Sequence, residues 1–326
     1  MEELMGRITA RLGPVFGTRR AVHVLTGSGT SAMELAIRNG TVSRVLSIVH
    51  GDFGERFARL AEACGRTVMR LSAEPGHVVP LDQIRDALKS RDFDAVTATH
   101  SETATGVLAD MAGIAGVVRE FDACLLLVDA VSAAGAVPIA MDDWGADAVV
   151  AASQKALALP PGLGFAAVSD RFVARARKVE NRGIYLDVLR YEEFTAKLQS
   201  PTTPAVSLLF ALDQQLADIE RETLAARFAR HAAMMAACTS WVSRAEADGL
   251  GISLLARPGL FSPSVTCIRT EQSPQIVQRM REQGYELGGG QPPLTKTTFR
   301  IGHMGDHTVS GVTTMLEVLH RVLRNL

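Results

Sequence analysis

The chain has 326 residues, 47% of them hydrophobic, with a mean hydropathy of +0.13, enough apolar material for one large domain and a smaller one. Its 34 Lys and Arg nearly balance 35 Asp and Glu, giving a net charge of −1; with no basic block, nothing in it points to nucleic acid or an anionic membrane. No apolar run approaches a membrane span, the opening MEELMGRITARLG lacks a secretory apolar region, and four cysteines lack paired spacing, so a reducing, cytoplasmic setting is expected rather than a disulfide framework.

Met1 to Phe16 predicts an amphipathic helix, with Leu4, Ile8, Leu12 and Phe16 at a spacing of four. A short strand at 22–25 runs into Thr26-Gly27-Ser28-Gly29-Thr30-Ser31, and a helix with Met33, Leu35, Ala36 and Ile37 follows. A strand, a glycine turn and a helix N-terminus form an anion site, because free N–H groups and the helix dipole face the ligand. Ser28, Gly29 and Thr30 are therefore candidates for binding a phosphate; the plain alternative is an ordinary strand-to-helix turn. The turn is not a dinucleotide fingerprint, since the third glycine is missing and no acid ends the next strand, at 45–49.

Gly51-Asp52-Phe53-Gly54-Glu55-Arg56 comes next, then a predicted helix at 56–64, a strand at 67–71, a helix at 81–89 and a strand at 94–99. That strand delivers a polar run, His100-Ser101-Glu102-Thr103. After a helix at 114–121, the apolar run Cys124-Leu125-Leu126-Leu127-Val128 ends in Asp129, and Ala148-Val149-Val150-Ala151-Ala152 ends in Ser153-Gln154-Lys155. Short apolar runs bounded by turn signals are strands buried on both faces. Asp129 and Lys155 thus each follow the C-terminal end of a buried strand, where open α/β sheets bind ligands. A lysine can form a Schiff base with an aldehyde, and an aspartate can pair with a protonated pyridine nitrogen. Together they are the pair expected for pyridoxal phosphate. A lone lysine is usually a solvated surface charge, but a buried strand and the Pro160-Pro161-Gly162 turn are a poor setting for one.

A strand at 165–169, a helix at 170–179, a charged stretch at 178–198 holding Tyr185 and Tyr191, and a long helix at 205–222 complete the first part. A second part has a helix at 224–248, strands at 252–255, 264–269, 286–287 and 298–302, and helices at 273–283 and 308–323. Gly288-Gly289-Gly290-Gln291 is expected to be a flexible loop. The expected division is a large domain at 1–222 and a smaller α+β domain at 223–326.

The segments LTGSGTSAMELAI, HGDFGERF, HSETATGVL, LLLVDAVSA, SQKAL, SPTTPAVSLL and FRIGHMG, in this order from about Val22 to Gly305, resemble the class V aminotransferases of fold type I, and among them the alanine/serine–glyoxylate group. The resemblance implies an α/β fold in which a large domain holds a mostly parallel seven-stranded sheet between helices. It implies that Phe53 stacks on the cofactor ring, Val131 lies on the opposite ring face, and Thr103 contacts the ring oxygen. It makes Lys155 the catalytic residue, which carries the cofactor and moves the α-proton, and gives Arg300 the substrate carboxylate. Gln154 and Ser153 are expected polar contacts, Glu102 a structural acid, and His100 an orienting group. Thr202 or Thr203 is expected to reach the phosphate in the neighbouring subunit of a homodimer, with the 178–198 stretch in the contact. Alanine or serine would be the donor, and a 2-oxo acid such as glyoxylate or pyruvate the acceptor.

Two other readings stand beside this one. A cysteine desulfurase of the same fold usually has histidine before the lysine, where this chain has Gln154, and needs a reactive thiol; Cys64, Cys124, Cys238 and Cys267 all fall in helix or strand patterns. A non-catalytic relative is the third reading. The family's Gly-Pro-rich opening loop, ahead of the first helix, is not in this sequence, whereas Asp129, Lys155 and Arg300 are all present.

Overall fold

The computed structural model describes residues 1–326. The chain opens with α1 (Glu2–Phe16), β1 (Val22–Thr26), α2 (Gly29–Gly40), β2 (Arg44–Val49), α3 (Asp52–Ala63), β3 (Thr67–Ser72), α4 (Leu81–Ser90) and β4 (Ala95–Thr99). A small hairpin, β5 (Ser101–Glu102) with β6 (Val107–Leu108), precedes α5 (Met111–Val118), β7 (Leu125–Asp129), α6 (Met141–Trp144), β8 (Ala148–Ala152) and β9 (Leu163–Val168). The seven long strands form one sheet in the order β1-β9-β8-β7-β4-β2-β3. Only β9 runs against its neighbours; β8, β7, β4, β2 and β3 are parallel. This is the mostly parallel sheet expected.

Both faces of the sheet are covered, which is why its strands are apolar without alternation. Leu46, Val96, Leu126, Val128 and Val149 face one core, shared with α1, α4 and α5. Val45, Ala95, Leu125, Leu127 and Val150 face the other, shared with α2, α3 and α7 (Asp170–Ala176). β1 and β3 are the edge strands, and β3 is only half-buried.

The chain continues through α8 (Val188–Ala196), α9 (Val206–Glu222) and α10 (Leu224–Ala247). Then come β10 (Ser253–Leu254), β11 (Val265–Arg269), α11 (Ser273–Glu282), β12 (Gly288–Gly289), β13 (Thr298–Gly302) and α12 (Val309–Arg324). The four strands make an antiparallel sheet, β10-β11-β13-β12. A third core joins that sheet to α10, α11 and α12 through Met234, Trp241, Ile268, Ile276, Phe299 and Leu316.

Three expectations are corrected. The glycine run is not a free loop: Gly288 and Gly289 pair with Arg300 and Phe299, and no strand forms at 286–287. The Arg300 side chain lies against this strand: a Cβ on Gly288 would stand 3.4 Å from its guanidinium, an ordinary contact distance. Helix α3 begins at Asp52, not Arg56, because the Glu102 carboxylate accepts the N–H of Gly54 at 3.0 Å and of Phe53 at 3.4 Å. A tertiary contact thus satisfies donors that a helix start leaves free. Tyr191, expected in a subunit contact, is buried in the core beside α2 and α7.

Candidate functional site

The C-terminal ends of β4, β7 and β8 converge with the β1–α2 turn on one edge of the large sheet. Ser28 precedes α2 in an extended conformation, and its side chain makes no cap. The first N–H groups of α2 are therefore free of intrahelical partners. Ser28 and Thr30 are exposed, while Gly29 is buried. A Cβ on Gly29 would stand 2.7 Å from Val131 Cγ2 and 3.2 Å from the Ala152 Cβ. The turn is thus seated against Val131 and the end of β8, with the backbone as close as a side chain would forbid.

Asp129 closes β7 and is buried; its Oδ1 accepts the Val131 N–H at 2.9 Å. Burial pushes its carboxyl up to about 6, while that N–H, Lys155 and Arg56 pull it down. Lys155 is half-buried, and burial, with the charge of Arg300, holds its ammonium below the usual lysine range. Its Nζ lies 5.6 Å from the centroid of the Phe53 ring. Phe53, in the first turn of α3, is half-buried.

Thr103 follows β5 and is held by a 2.6 Å hydroxyl bond to Ser132, in the loop after Asp129. Its carbonyl accepts Arg300 Nη1 at 3.4 Å, and Arg300 Nε donates to the Gly289 carbonyl at 2.9 Å. Arg300 is therefore carried on β13 of the small sheet but faces the residues of the large one. Thr202 has a buried hydroxyl without a partner. Thr203 is exposed, and its carbonyl accepts from Thr26 Oγ1. Gln154 is exposed.

Ser153 is corrected as a cofactor contact. Its hydroxyl donates to Pro160 O at 2.8 Å and accepts the Leu163 N–H at 3.2 Å, so it is spent on closing the Pro-Gly turn. Glu102 is a structural acid: besides Phe53 and Gly54 it accepts the Ala104 N–H at 2.9 Å, and burial raises it to about 7. His100 is buried against Trp144 with ring centroids 5.2 Å apart, and burial lowers it to about 4. All four cysteines are unpaired, and burial raises every thiol, those of Cys124, Cys238 and Cys267 to about 12. None is a thiolate of the kind a desulfurase needs.

The sequence reading missed Arg56. Its guanidinium stacks 4.7 Å above the Phe53 ring, and its charge acts on both Asp129 and Lys155. The signal was available: once α3 starts at Asp52, Arg56 falls one turn after Phe53 on the same face.

A helix start with free N–H groups, a buried acid, a half-buried lysine and an aromatic ring gather at the strand ends, the arrangement expected of a cofactor-dependent transferase of fold type I. The aminotransferase class-V family model matches residues 22–254. A relative described as the small subunit of soluble hydrogenase, from Synechococcus sp., is 34% identical over 99% of this chain and 85% of its own length. The L-aspartate–glyoxylate aminotransferase of Paracoccus denitrificans is 33% identical over 91% of this chain and 78% of its own. The solved structure of an alanine–glyoxylate aminotransferase from Nostoc sp. matches with a TM-score of 0.90 at 30% identity, over 99% of this chain and 87% of that one. The chain belongs to the class V aminotransferases. It is an enzyme, and its cofactor is pyridoxal phosphate. The residues fit that group: the close seat of Gly29 on Val131 leaves backbone donors open beside the buried Asp129 and the half-buried Lys155.

Proposed function

We propose that this enzyme moves the amino group of alanine or serine to a 2-oxo acid, glyoxylate or pyruvate. The observation that carries the reading is Arg300, a single half-buried guanidinium whose charge acts on Lys155 from the small sheet. A planar guanidinium grips one carboxylate with two parallel hydrogen bonds, which places an amino acid's α-carbon beside the lysine. The Paracoccus and Nostoc relatives, both named for glyoxylate, support the acceptor.

When bound, pyridoxal phosphate supplies the electron sink for the α-carbon. The N–H groups of Gly29 and Thr30, with the Ser28 and Thr30 hydroxyls, bind its phosphate. Asp129, whose anionic form the Val131 N–H, Lys155 and Arg56 favour against burial, would pair with the ring nitrogen. Phe53 and Val131 would hold the ring from its two faces and exclude water, and Thr103 would reach the ring oxygen. Gln154 is a polar contact at the rim. Lys155 would anchor the cofactor and then carry the proton from the α-carbon, and burial with the charge of Arg300, which lowers its pKa, favours the neutral amine that a base requires.

One observation favours a dicarboxylic donor such as aspartate as a second reading. Arg56 adds a cation near Lys155, paired only loosely with Asp52 at 3.6 Å. If it receives a side-chain carboxylate, Arg56→Gln raises the KM for aspartate and leaves that for alanine unchanged; equal effects on both reject this reading.

The active enzyme is a homodimer in this proposal. Ile184, Tyr185, Val206 and Phe210 are exposed apolar residues. The Tyr185 hydroxyl donates to Thr26 O, and Thr26 Oγ1 accepts the Ala205 N–H, so the patch borders the 200–205 turn. The phosphate contact from the neighbouring subunit then falls to Thr202 or Thr203. The domains divide at 222–223, supported by the third core, which begins at Met234. Four unpaired cysteines suit a reducing cytoplasm.

The test is product formation by the purified, cofactor-loaded protein. Alanine with glyoxylate should yield pyruvate and glycine, and Lys155→Ala should abolish both. Release of sulfide from cysteine, without pyruvate from alanine, overturns the reading.

A further inference from the structure

Arg227 is 2% exposed, one of the largest fully buried side chains in the molecule. It stands in the first turn of α10, outside every segment that marks the cofactor site. Burying a guanidinium is tolerated only when its donors find partners, and four of its five N–H donors do. Nε donates to Gly135 O at 3.2 Å, and Nη2 donates to Ala156 O at 2.7 Å and to Asp306 Oδ1 at 3.0 Å. Nη1 donates to Glu222 Oε2 at 2.9 Å.

Three of these partners belong to the site's scaffolding. Ala156 directly follows Lys155. Gly135 lies in the loop that follows Asp129 and carries Val131 and Ser132. Asp306 lies in the loop after β13, the strand that bears Arg300. The same turn of α10 holds that loop twice more. The His231 imidazole accepts the Gly305 N–H at 3.0 Å, and Arg230 donates to Gly305 O at 3.0 Å. Gly305 is pressed onto the lysine turn: a Cβ there would stand 3.0 Å from the Ala158 Cβ and 3.5 Å from Lys155 O.

We propose that Arg227 is a positioning residue that fixes the Lys155 turn relative to the Asp129 loop and to the strand carrying Arg300. The proposal rests on the transaminase reading and adds a residue to it. A planar fork with five donors can bridge three backbone segments at once; a lysine at the same place cannot. Arg227 touches neither substrate nor cofactor; because it ties the Lys155 turn to the loop after the Arg300 strand, its loss should misplace the base relative to the bound donor and lower kcat by more than it raises the KM.

The experiment uses Arg227→Lys, Arg227→Gln and Asp306→Asn in the full chain. Transaminase kinetics are measured on the cofactor-loaded enzyme, and hydrogen–deuterium exchange on the protein without added cofactor. The Arg227 variants should lose about 10- to 100-fold in kcat, the scale for a misplaced reacting group, with a smaller rise in the KM for alanine. Exchange should quicken in peptides covering 153–159 and 130–137, and not in the strand at 148–152. Asp306→Asn, which removes only an exposed charge, should quicken exchange at 303–307 and lower kcat to a smaller degree. It reports even if the Arg227 variants do not fold.

Wild-type kcat and exchange in the Arg227 variants overturn the proposal, as does faster exchange spread evenly over the chain. If the Arg227 variants do not fold, a wild-type pattern in Asp306→Asn overturns it. If wild-type protein makes no pyruvate from alanine yet the local exchange pattern appears, the transaminase reading fails and the positioning role stands.

Discussion

The Nζ of Lys155 lies 5.6 Å from the centroid of the Phe53 ring, although one lies in the turn after β8 and the other in the first turn of α3. The relationship sets an amine beside a flat apolar plate, in surroundings dry enough to lower the ammonium's pKa. Lys155→Ala should remove the visible absorbance of bound cofactor and lower kcat by about 10⁴-fold or more, the upper range for a lost proton-transfer group. Phe53→Leu should retain the absorbance but weaken cofactor affinity, measured by equilibrium dialysis. An unchanged affinity would mean that the ring is only core.

Arg300 should not tolerate its nearest chemical relative. Its guanidinium already gives Nε to Gly289 and one Nη to Thr103, which fixes the plane of the fork. Arg300→Lys keeps the charge but loses that plane. The kcat/KM for alanine should fall about 10- to 100-fold, the equivalent of one charge-assisted hydrogen bond. Steady-state kinetics across alanine concentrations decide it; a variant within a factor of two of wild type would exclude Arg300 as the carboxylate anchor.

Gly29 should be intolerant of a single methyl group. The added Cβ of Gly29→Ala would meet Val131 Cγ2 at 2.7 Å. Overpacking of this kind costs about 1–3 kcal/mol. Either Val131 moves from the cofactor face or the start of α2 moves from the phosphate. Cofactor affinity should drop while the circular dichroism spectrum stays native, and retention of full affinity would show that the turn has slack.

Acid should destabilise the protein without added cofactor. Burial holds His50, His100, His231 and His303 at about 4, below the ordinary 6.5. The unfolded chain takes up these protons between about pH 6.5 and 4 and the native chain does not, so stability falls as pH drops through that window. Asp129 and Glu102 act in the opposite direction. Their values are raised to about 6 and about 7, so their contribution is fullest at low pH and is lost as pH rises from about 4 to 7. Four imidazoles outweigh two carboxyls with shifts of similar size. Calorimetry should give a lower Tm at pH 5 than at pH 7; a higher one would mean that these histidines are protonated in the fold.

Phe210 is 59% exposed and Ile184 72%. Exposed apolar clusters beside a functional turn mark contact surfaces. Phe210→Asp should shift the protein from dimer to monomer in light scattering and weaken cofactor binding with it. A wild-type protein that is monomeric at all concentrations would remove the neighbouring subunit from the site.

Most of the large sheet was legible in the residues. Its strands are buried on both faces, so each reads as an apolar run between turn signals, and Asp129 and Lys155 stand out as the polar residues that end two of them. The α2 turn was legible for a similar reason, since its glycines and hydroxyls precede a clear helical period. These are local patterns, and local physics produces them.

What the tertiary structure alone decided depends on contacts between distant segments. The start of α3 is set by a carboxylate arriving from Glu102, and with it the placement of Phe53 and Arg56. The glycines at 288–289 are a strand because β13 lies beside them and Arg300 lies over them. Ser153 is withdrawn from the cofactor by the turn it closes, and Arg227 is a buried fork only because three loops bring carbonyls and a carboxylate to it. Apart from Ser153, whose partners Pro160 and Leu163 lie in the next turn, these contacts join residues too far apart for one local pattern to show, so the residue types name the chemistry and the fold decides which side chains remain free to perform it.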